Sequence, residues 1–339
     1  MEVLEQHSLQ PYNTFGLEAK AAFFTEAKNL DDLRDAKRFA DERGLQYLIL
    51  GGGSNVLLSG DYDGLVVVNA LRGITAEKLP SGGVALTAQS GENWHELVLH
   101  CVEQGYGGIE NMSLIPGCVG AAPLQNIGAY GVELKDVFIR LEALNLETFA
   151  VETFDKVACQ FGYRDSFFKR EGKGKYWVTS ITLQLTEENH QINTSYGAIE
   201  QTLDEWGIDQ PTISDVSKAV IHIRQSRLPD PAVLGNSGSF FKNPVIPQEL
   251  FESVQADYPD VPNYPAGEGF VKLPAAWLIE KCGWKGKRVG NTGCHEKQAL
   301  VLVNHGGATG SEIMQLSSDI QASVLEQFQI RIEPEVNFI

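Results

Sequence analysis

The chain has 339 residues, 43% of them hydrophobic and 21% charged, enough to bury a full core and to divide into two or three domains. Its 27 basic residues against 44 acidic ones leave a net charge of −17, which argues against a nucleic-acid or anionic-membrane partner. No run of eighteen apolar residues occurs, and the N-terminus lacks the basic and apolar regions of a signal peptide, so a cytoplasmic protein is expected.

The first predicted element is a helix over 30–43, with Leu30, Leu33, Ala36, Phe39 and Ala40 at helical spacing, Asn29 as N-cap and Gly44 as stop. It leads into a strand at 46–50, and the strand runs into Gly51-Gly52-Gly53-Ser54-Asn55. Residues without a Cβ let successive N–H groups converge on one anion, so this loop is a candidate pyrophosphate cradle. A dinucleotide fingerprint would need a third glycine where Val56 stands and a helix after it. The sequence that follows, Val56-Leu57-Leu58 and then Leu65-Val66-Val67-Val68, is strand-like, which leaves a nucleotide loop outside the Rossmann class or a glycine turn with no ligand.

A second helix over 92–104 ends at Gly105. Next comes a second glycine-rich segment, Ile115-Pro116-Gly117-Cys118-Val119-Gly120-Ala121-Ala122-Pro123-Leu124-Gln125-Asn126-Ile127-Gly128-Ala129-Tyr130-Gly131, again either a cradle or an unliganded set of turns. Two cradles suggest one large phosphorylated cofactor. Strands at 137–144, 176–186 and 299–303 and a helix over 274–282 make the class α+β, with boundaries near 70 and 213. Five cysteines, with no C-x-x-C pattern and no histidine at metal-ligand offsets, point to reduced thiols and no structural zinc. Residues 222–290 carry eight basic against seven acidic side chains, the region where an anion would find a locally basic pocket in an acidic chain.

Three constellations carry further chemistry. In Phe161-Gly162-Tyr163-Arg164 a guanidinium sits among aromatics, partly desolvated and able to grip a carboxylate, or else paired in the core. Gly235-Asn236-Ser237-Gly238-Ser239-Phe240-Phe241-Lys242-Asn243-Pro244 presents hydroxyls and a carboxamide on a glycine turn running into a short strand, or caps a turn. In the tail, Glu335 alternates with apolar neighbours and so points inward, as a site residue or as half of a structural ion pair.

Taken in order, Tyr12-Asn13-Thr14-Phe15-Gly16, the loop 51–55, the segment 115–130, Phe161-Gly162-Tyr163-Arg164, Gly238-Ser239-Phe240-Phe241-Lys242-Asn243-Pro244 and Glu333-Pro334-Glu335-Val336 resemble the UDP-N-acetylenolpyruvoylglucosamine reductases, flavoenzymes of bacterial peptidoglycan synthesis. The resemblance covers essentially the whole chain, and the insertion with Tyr196-Gly197 together with Tyr264-Pro265 matches the longer subclass, whose tyrosine loop closes over substrate. It implies a vanillyl-alcohol-oxidase-like FAD-binding fold: lobe 1 over 1–69, lobe 2 over 70–212 with the terminal strand 330–339 returning to it, and a separate α+β substrate-binding domain over 213–329.

FAD would lie along Gly51, Gly52, Gly53, Ser54 and Asn55 and along Ile115, Pro116, Gly117, Gly120, Ala121, Pro123, Gln125, Asn126, Gly128, Ala129 and Tyr130, with Arg224 added. NADPH would reduce it, and the enolpyruvyl ether of UDP-N-acetylglucosamine would then be reduced to the lactyl ether, UDP-N-acetylmuramate. The resemblance assigns the substrate carboxylate to Arg164 and Glu335 and the proton donated to the enol carbon to Ser239. It assigns the diphosphate and uridine to Tyr196, Arg227, Asn243 and Tyr264, assisted by Lys272 and Gln298. Arg227 stands where some relatives carry lysine, and the chain stops at Ile339, where some continue into a longer tail. The expectation is a monomer with small-molecule ligands, no metal, and no nucleic-acid or membrane partner. Another FAD oxidoreductase of the same fold would share the glycine loops without needing Arg164, Ser239 and Glu335 together. A non-catalytic nucleotide-sugar-binding protein would not need a flavin at all.

Overall fold

The computed structural model describes all residues, 1–339. The chain separates into two compact units: Met1–His7, Ala21–Gly52 and Asp63–Ser226 form the first, and Ser8–Lys20, Gly53–Tyr62 and Arg227–Ile339 the second.

The first unit holds two sheets. In the smaller one the strands run in the order Leu4–Ser8, Lys20–Ala27, Tyr62–Asn69, Gln46–Leu50, the last two being parallel with Leu48 opposite Val66. Helix Leu30–Arg43 buries Leu33, Ala36 and Ala40 against Ala27, Leu65 and Val67. Asn29 caps it by accepting from Asp32 N, and Gly44 ends it in the left-handed conformation at φ 64°, as the sequence predicts. The larger sheet is five-stranded and antiparallel, in the order Val151–Asp155, Phe138–Asn145, Tyr176–Leu185, Val84–Gln89, Ile74–Lys78, with Leu141 opposite Ile181 and Leu183 opposite Leu86. Helix Trp94–Glu103 buries Trp94, Leu97, Val98 and Cys101 in the same core.

Helix Ile213–Arg227 begins where the sequence places its second boundary. Its apolar residues Val216, Ala219, Val220 and Ile223 pack on Ile199 and Leu203 of helix Gly197–Glu205, so residues up to Ser226 belong to the first unit. Residues 53–62, placed with lobe 1 by the sequence, fall in the second unit.

The second unit has a four-stranded antiparallel sheet, Gly235–Ser239, Val301–Asn304, Thr292–Cys294, Arg288–Val289, and a three-stranded one, Val245–Pro247, Phe270–Lys272, Tyr264–Pro265. The 19-residue helix Gly310–Phe328 buries Ile313, Leu316, Ile320, Val324 and Phe328 in a core with Phe240, Phe241, Leu278 and Leu302. The terminal strand lies in this unit. There Asn337 and Phe338 pair in parallel with Val56 and Leu57, because residues 56–57 belong to the same unit.

Candidate active site

The two glycine-rich segments lie against each other. A Cβ on Gly51 would stand 2.4 Å from Cys118 Sγ, and one on Gly52 would stand 2.9 Å from Gly117 Cα, so neither position has room for a side chain. The partner segment contains the 3₁₀ helix Val119–Gln125, with Asn126 at φ 44°, Tyr130 at φ 51° and Gly131 at φ 83° after it. Helix Trp94–Glu103 and the turn before it fix this segment through Trp94 N to Gly117 O at 3.0 Å, Val119 N to Glu92 O at 2.8 Å and Gly120 N to Ser90 O at 2.8 Å. A Cβ on Gly120 would meet that of Ser90 at 2.6 Å. None of the amides of Gly51, Gly52, Gly53, Ser54 and Asn55 donates a hydrogen bond within the chain, so five successive N–H groups remain to bind a ligand.

The side chains of this segment are partly committed to the fold. Asn126 Nδ2 donates to Gly162 O and to Glu133 Oε2, both at 3.1 Å, and its Oδ1 accepts from Lys135 N at 3.0 Å. It therefore pins the loop that carries Arg164. Arg164 is half-buried at φ 53°, its Nη1 donating to Gly128 O at 3.4 Å, while Asp165 next to it pairs with Arg170. Arg224 projects from helix Ile213–Arg227, and its Nε is buried with no acceptor. Burial lowers its pKa, its hydrogen bond to Tyr130 opposes that shift, and the Arg164 guanidinium adds to it. Two guanidiniums close enough to repel, each with a buried Nε–H that has no acceptor, form a site that favours an anion. Tyr130 also meets the ring of Tyr196 edge to face, 5.1 Å between centroids, with Tyr196 otherwise exposed. Gln125, Ala121 and Ile115 are half-buried, Pro116 is exposed and Pro123 lies buried inside the 3₁₀ helix.

In the second unit, Tyr12-Asn13-Thr14-Phe15-Gly16 braces the glycine loop. Asn13 holds its own turn through Leu9 O and Leu17 O, Thr14 N donates to Gly53 O at 3.1 Å, and a Cβ on Gly53 would stand 1.9 Å from Tyr12 O. Ser239 is exposed at the end of strand Gly235–Ser239, opposite Val301. The residue after it, Phe240, accepts from Glu335 N at 2.7 Å, and Asn55 Nδ2 donates to Glu335 O at 3.4 Å. Glu335 is half-buried beside the buried Val336, as the alternation predicts. Ser239, Glu335 and Asn55 are thereby brought together.

Tyr264 and Lys272 face each other across an antiparallel pair. Asn243 Oδ1 accepts from Ala275 N at 2.9 Å at the start of helix Ala275–Lys281, and Gln298 Oε1 accepts from Leu300 N at 3.3 Å, so each already serves the fold with one of its amide atoms. Arg227 is exposed at the end of its helix. Arg164, Tyr196 and Arg224 belong to the first unit; Arg227, Ser239, Asn243, Tyr264, Lys272, Gln298 and Glu335 belong to the second. No group of three or more His, Cys, Asp or Glu side chains is placed to hold a metal ion.

A family model described as the C-terminal domain of UDP-N-acetylenolpyruvoylglucosamine reductase matches residues 230–339, and one described as an FAD binding domain matches 21–148. A UDP-N-acetylenolpyruvoylglucosamine reductase of Flavobacterium johnsoniae is 49% identical over all 339 residues, covering 100% of both chains. The chain belongs to the UDP-N-acetylenolpyruvoylglucosamine reductase family. A Pseudomonas aeruginosa member is 48% identical over 99% of each chain. The crystal structure of the Thermus caldophilus UDP-N-acetylenolpyruvylglucosamine reductase superposes with a TM-score of 0.68 at 22% identity, covering 99% of this chain and 98% of that one. The fold is therefore an FAD-binding one joined to an α+β domain. The residues present fit FAD: the free amides of 51–55 suit a pyrophosphate.

Two contributors to this site carry no sequence signal of the kind used above. Asn69 Nδ2 donates to Ser90 Oγ at 2.8 Å beneath Gly120, and His95 Nδ1 accepts from Leu114 N at 3.0 Å just ahead of Ile115. Only the structure brings them to the cofactor segment.

Proposed function

We infer that this chain is an NADPH-dependent flavoenzyme that reduces UDP-N-acetylglucosamine enolpyruvate to UDP-N-acetylmuramate in peptidoglycan biosynthesis. The observation that carries the reading is end-to-end identity of 49% to a reductase of that name. FAD, once reduced by NADPH, supplies the two electrons.

The chain's own residues then have the following roles. The amides of 51–55 would hold the pyrophosphate, residues of the segment 115–130 would hold the rest of the cofactor, and Arg224 would offer it a buried Nε–H that has no acceptor in the chain. Arg164 grips the substrate carboxylate, where negative charge grows as the double bond is reduced. Glu335 helps to hold the same carboxylate. Ser239 delivers a proton from Oγ to the enol carbon, an assistance worth roughly 10²–10⁴-fold. Its exposure and the pairing of Phe240 with Glu335 support that role. Tyr196, Arg227, Asn243 and Tyr264 take the diphosphate and uridine, with Lys272 and Gln298 assisting. The enzyme of this reading is a cytoplasmic monomer, and the net charge of −17 supports a role without nucleic-acid or anionic-membrane partners.

An anaerobic visible spectrum tests the reading. A yellow protein that bleaches with NADPH and regains colour with the enolpyruvyl substrate is expected. Bleaching without recovery would move the function to another FAD oxidoreductase, and a protein that takes up no FAD would leave a nucleotide-sugar-binding protein. In the same cuvette Ser239→Ala should slow recovery of colour far more than bleaching. Equal slowing of both would remove Ser239 as proton donor and leave it a structural cap.

A further inference from the structure

His95 is the second residue of helix Trp94–Glu103, and its imidazole leaves the helix to receive the Leu114 amide at 3.0 Å. Leu114 needs that support. It sits at φ 59°, a left-handed conformation that is strained for a residue with a Cβ, one position before the cofactor segment begins at Ile115. The residue on its other side is fixed as well, since Ser113 Oγ donates to Glu110 O at 2.7 Å and shares a 2.8 Å hydrogen bond with Ser217 Oγ. Ser217 lies on helix Ile213–Arg227, two turns before Arg224. The entry to the cofactor segment is thus clasped from two helices.

We propose that His95 is a positioning residue for FAD: its neutral imidazole, with Nδ1 as acceptor, holds Leu114 in the strained turn that presents residues 115–120 to the cofactor. The proposal rests on the reading that this segment binds FAD. An Nδ1 acceptor requires the proton to be on Nε2, and protonation of the ring would turn that acceptor into a donor aimed at another donor. The surroundings keep the ring neutral. Burial lowers its pKa below the ordinary 6.5, Glu96 on its own helix opposes this, and Arg224 on the facing helix reinforces it. Arg224 also bonds Tyr130 at the far end of the same segment, so one cation faces both ends of it. The sign follows: FAD affinity is full at and above the ordinary histidine value and falls as pH drops through the depressed pKa of His95.

The test measures FAD dissociation constants by flavin fluorescence on the full chain, for wild type, His95→Asn and His95→Leu, between pH 5 and 8, with the thermal midpoint of each apoprotein alongside. Asparagine Oδ1 overlays imidazole Nδ1 and does not titrate, whereas leucine fills the space without an acceptor. The expected result is about tenfold weaker FAD binding in His95→Leu at pH 7.5, equivalent to the loss of about 1.4 kcal/mol. His95→Asn should lie within about twofold of wild type and lack the acid-side decline. An affinity in His95→Leu equal to wild type, or an acid-side decline of the same size in His95→Asn, would overturn the proposal. A His95→Leu variant that fails to fold leaves the decision to the comparison of wild type with His95→Asn. A wild-type chain that binds no FAD at any pH would sink the cofactor reading itself.

Discussion

At the scale of single residues, the glycines divide by what surrounds them. Gly53 has φ 60° and a missing Cβ that would lie 1.9 Å from Tyr12 O, whereas Gly238 has φ 71° and open space around it. Gly53→Ala therefore combines left-handed strain with a backbone clash and should destabilise by about 3 kcal/mol, against about 1 kcal/mol for Gly238→Ala, which carries strain alone. Urea unfolding followed by tryptophan fluorescence separates the two, and equal shifts would show that the brace under Gly53 yields freely. The difference explains what the sequence could disclose. A glycine run after a strand reveals that a side chain is excluded, which is legible, but not whether a ligand or Cys118, Gly117 and Tyr12 excludes it. Here the protein's own packing excludes the side chains, while the unbonded amides of 51–55 are what remain for the cofactor. Asn126 is a similar case. Its carboxamide stood out as a candidate ligand, and the structure spends it on Gly162, Glu133 and Lys135.

Among the elements, helix Ile213–Arg227 links stability to the site, because it carries Ser217 and Arg224. At its start Thr212 N and Oγ1 both donate to Asp215 Oδ2, at 2.9 and 2.6 Å, and Thr212 Oγ1 accepts from Asp215 N at 3.3 Å. These bonds hold the Asp215 carboxyl below its ordinary 3.8. A depressed carboxyl stabilises the fold above its unfolded-state pKa, and that contribution is lost as pH falls through the folded value. Asp215→Asn should therefore lower the urea midpoint at pH 7, with the gap to wild type closing below about pH 3.8. A gap of constant width down to pH 3 would assign the effect to something other than the carboxylate. This helix also marks where sequence reading stopped. Helices with a clear apolar stripe and a glycine stop, Leu30–Arg43 and Trp94–Glu103, are legible from the chain alone. Ile213–Arg227 pairs with Gly197–Glu205, which follows a polar stretch, so a domain boundary drawn on composition fell at its first turn. The longest helix, Gly310–Phe328, was missed although Thr309 and Glu312 form a capping box ahead of it, a signal the sequence does carry.

For the whole molecule, the thiols report how tightly both units close. All five cysteines are free, and burial pushes Cys101, Cys159 and Cys294 up to about 12 and Cys282 up to about 11. Ellman's reagent at pH 8 should leave Cys101, Cys159 and Cys294 unmodified in the native protein and find five thiols after unfolding in urea; rapid native labelling of any of the three would mean that its unit opens readily. The second unit has a further property that follows from its threading. It draws on Ser8–Lys20 and Gly53–Tyr62 as well as Arg227–Ile339, and the hydrogen bond from Asn55 to Glu335 joins residues 280 positions apart. On the ribosome the early pieces emerge long before their partners, so Thr14 waits for Asn236, Phe15 for Asn304, and Val56 for Asn337. The loop-closure entropy of these distant pairings is met only after the later partner of each pair has been made, which makes the second unit the late-folding part of the molecule.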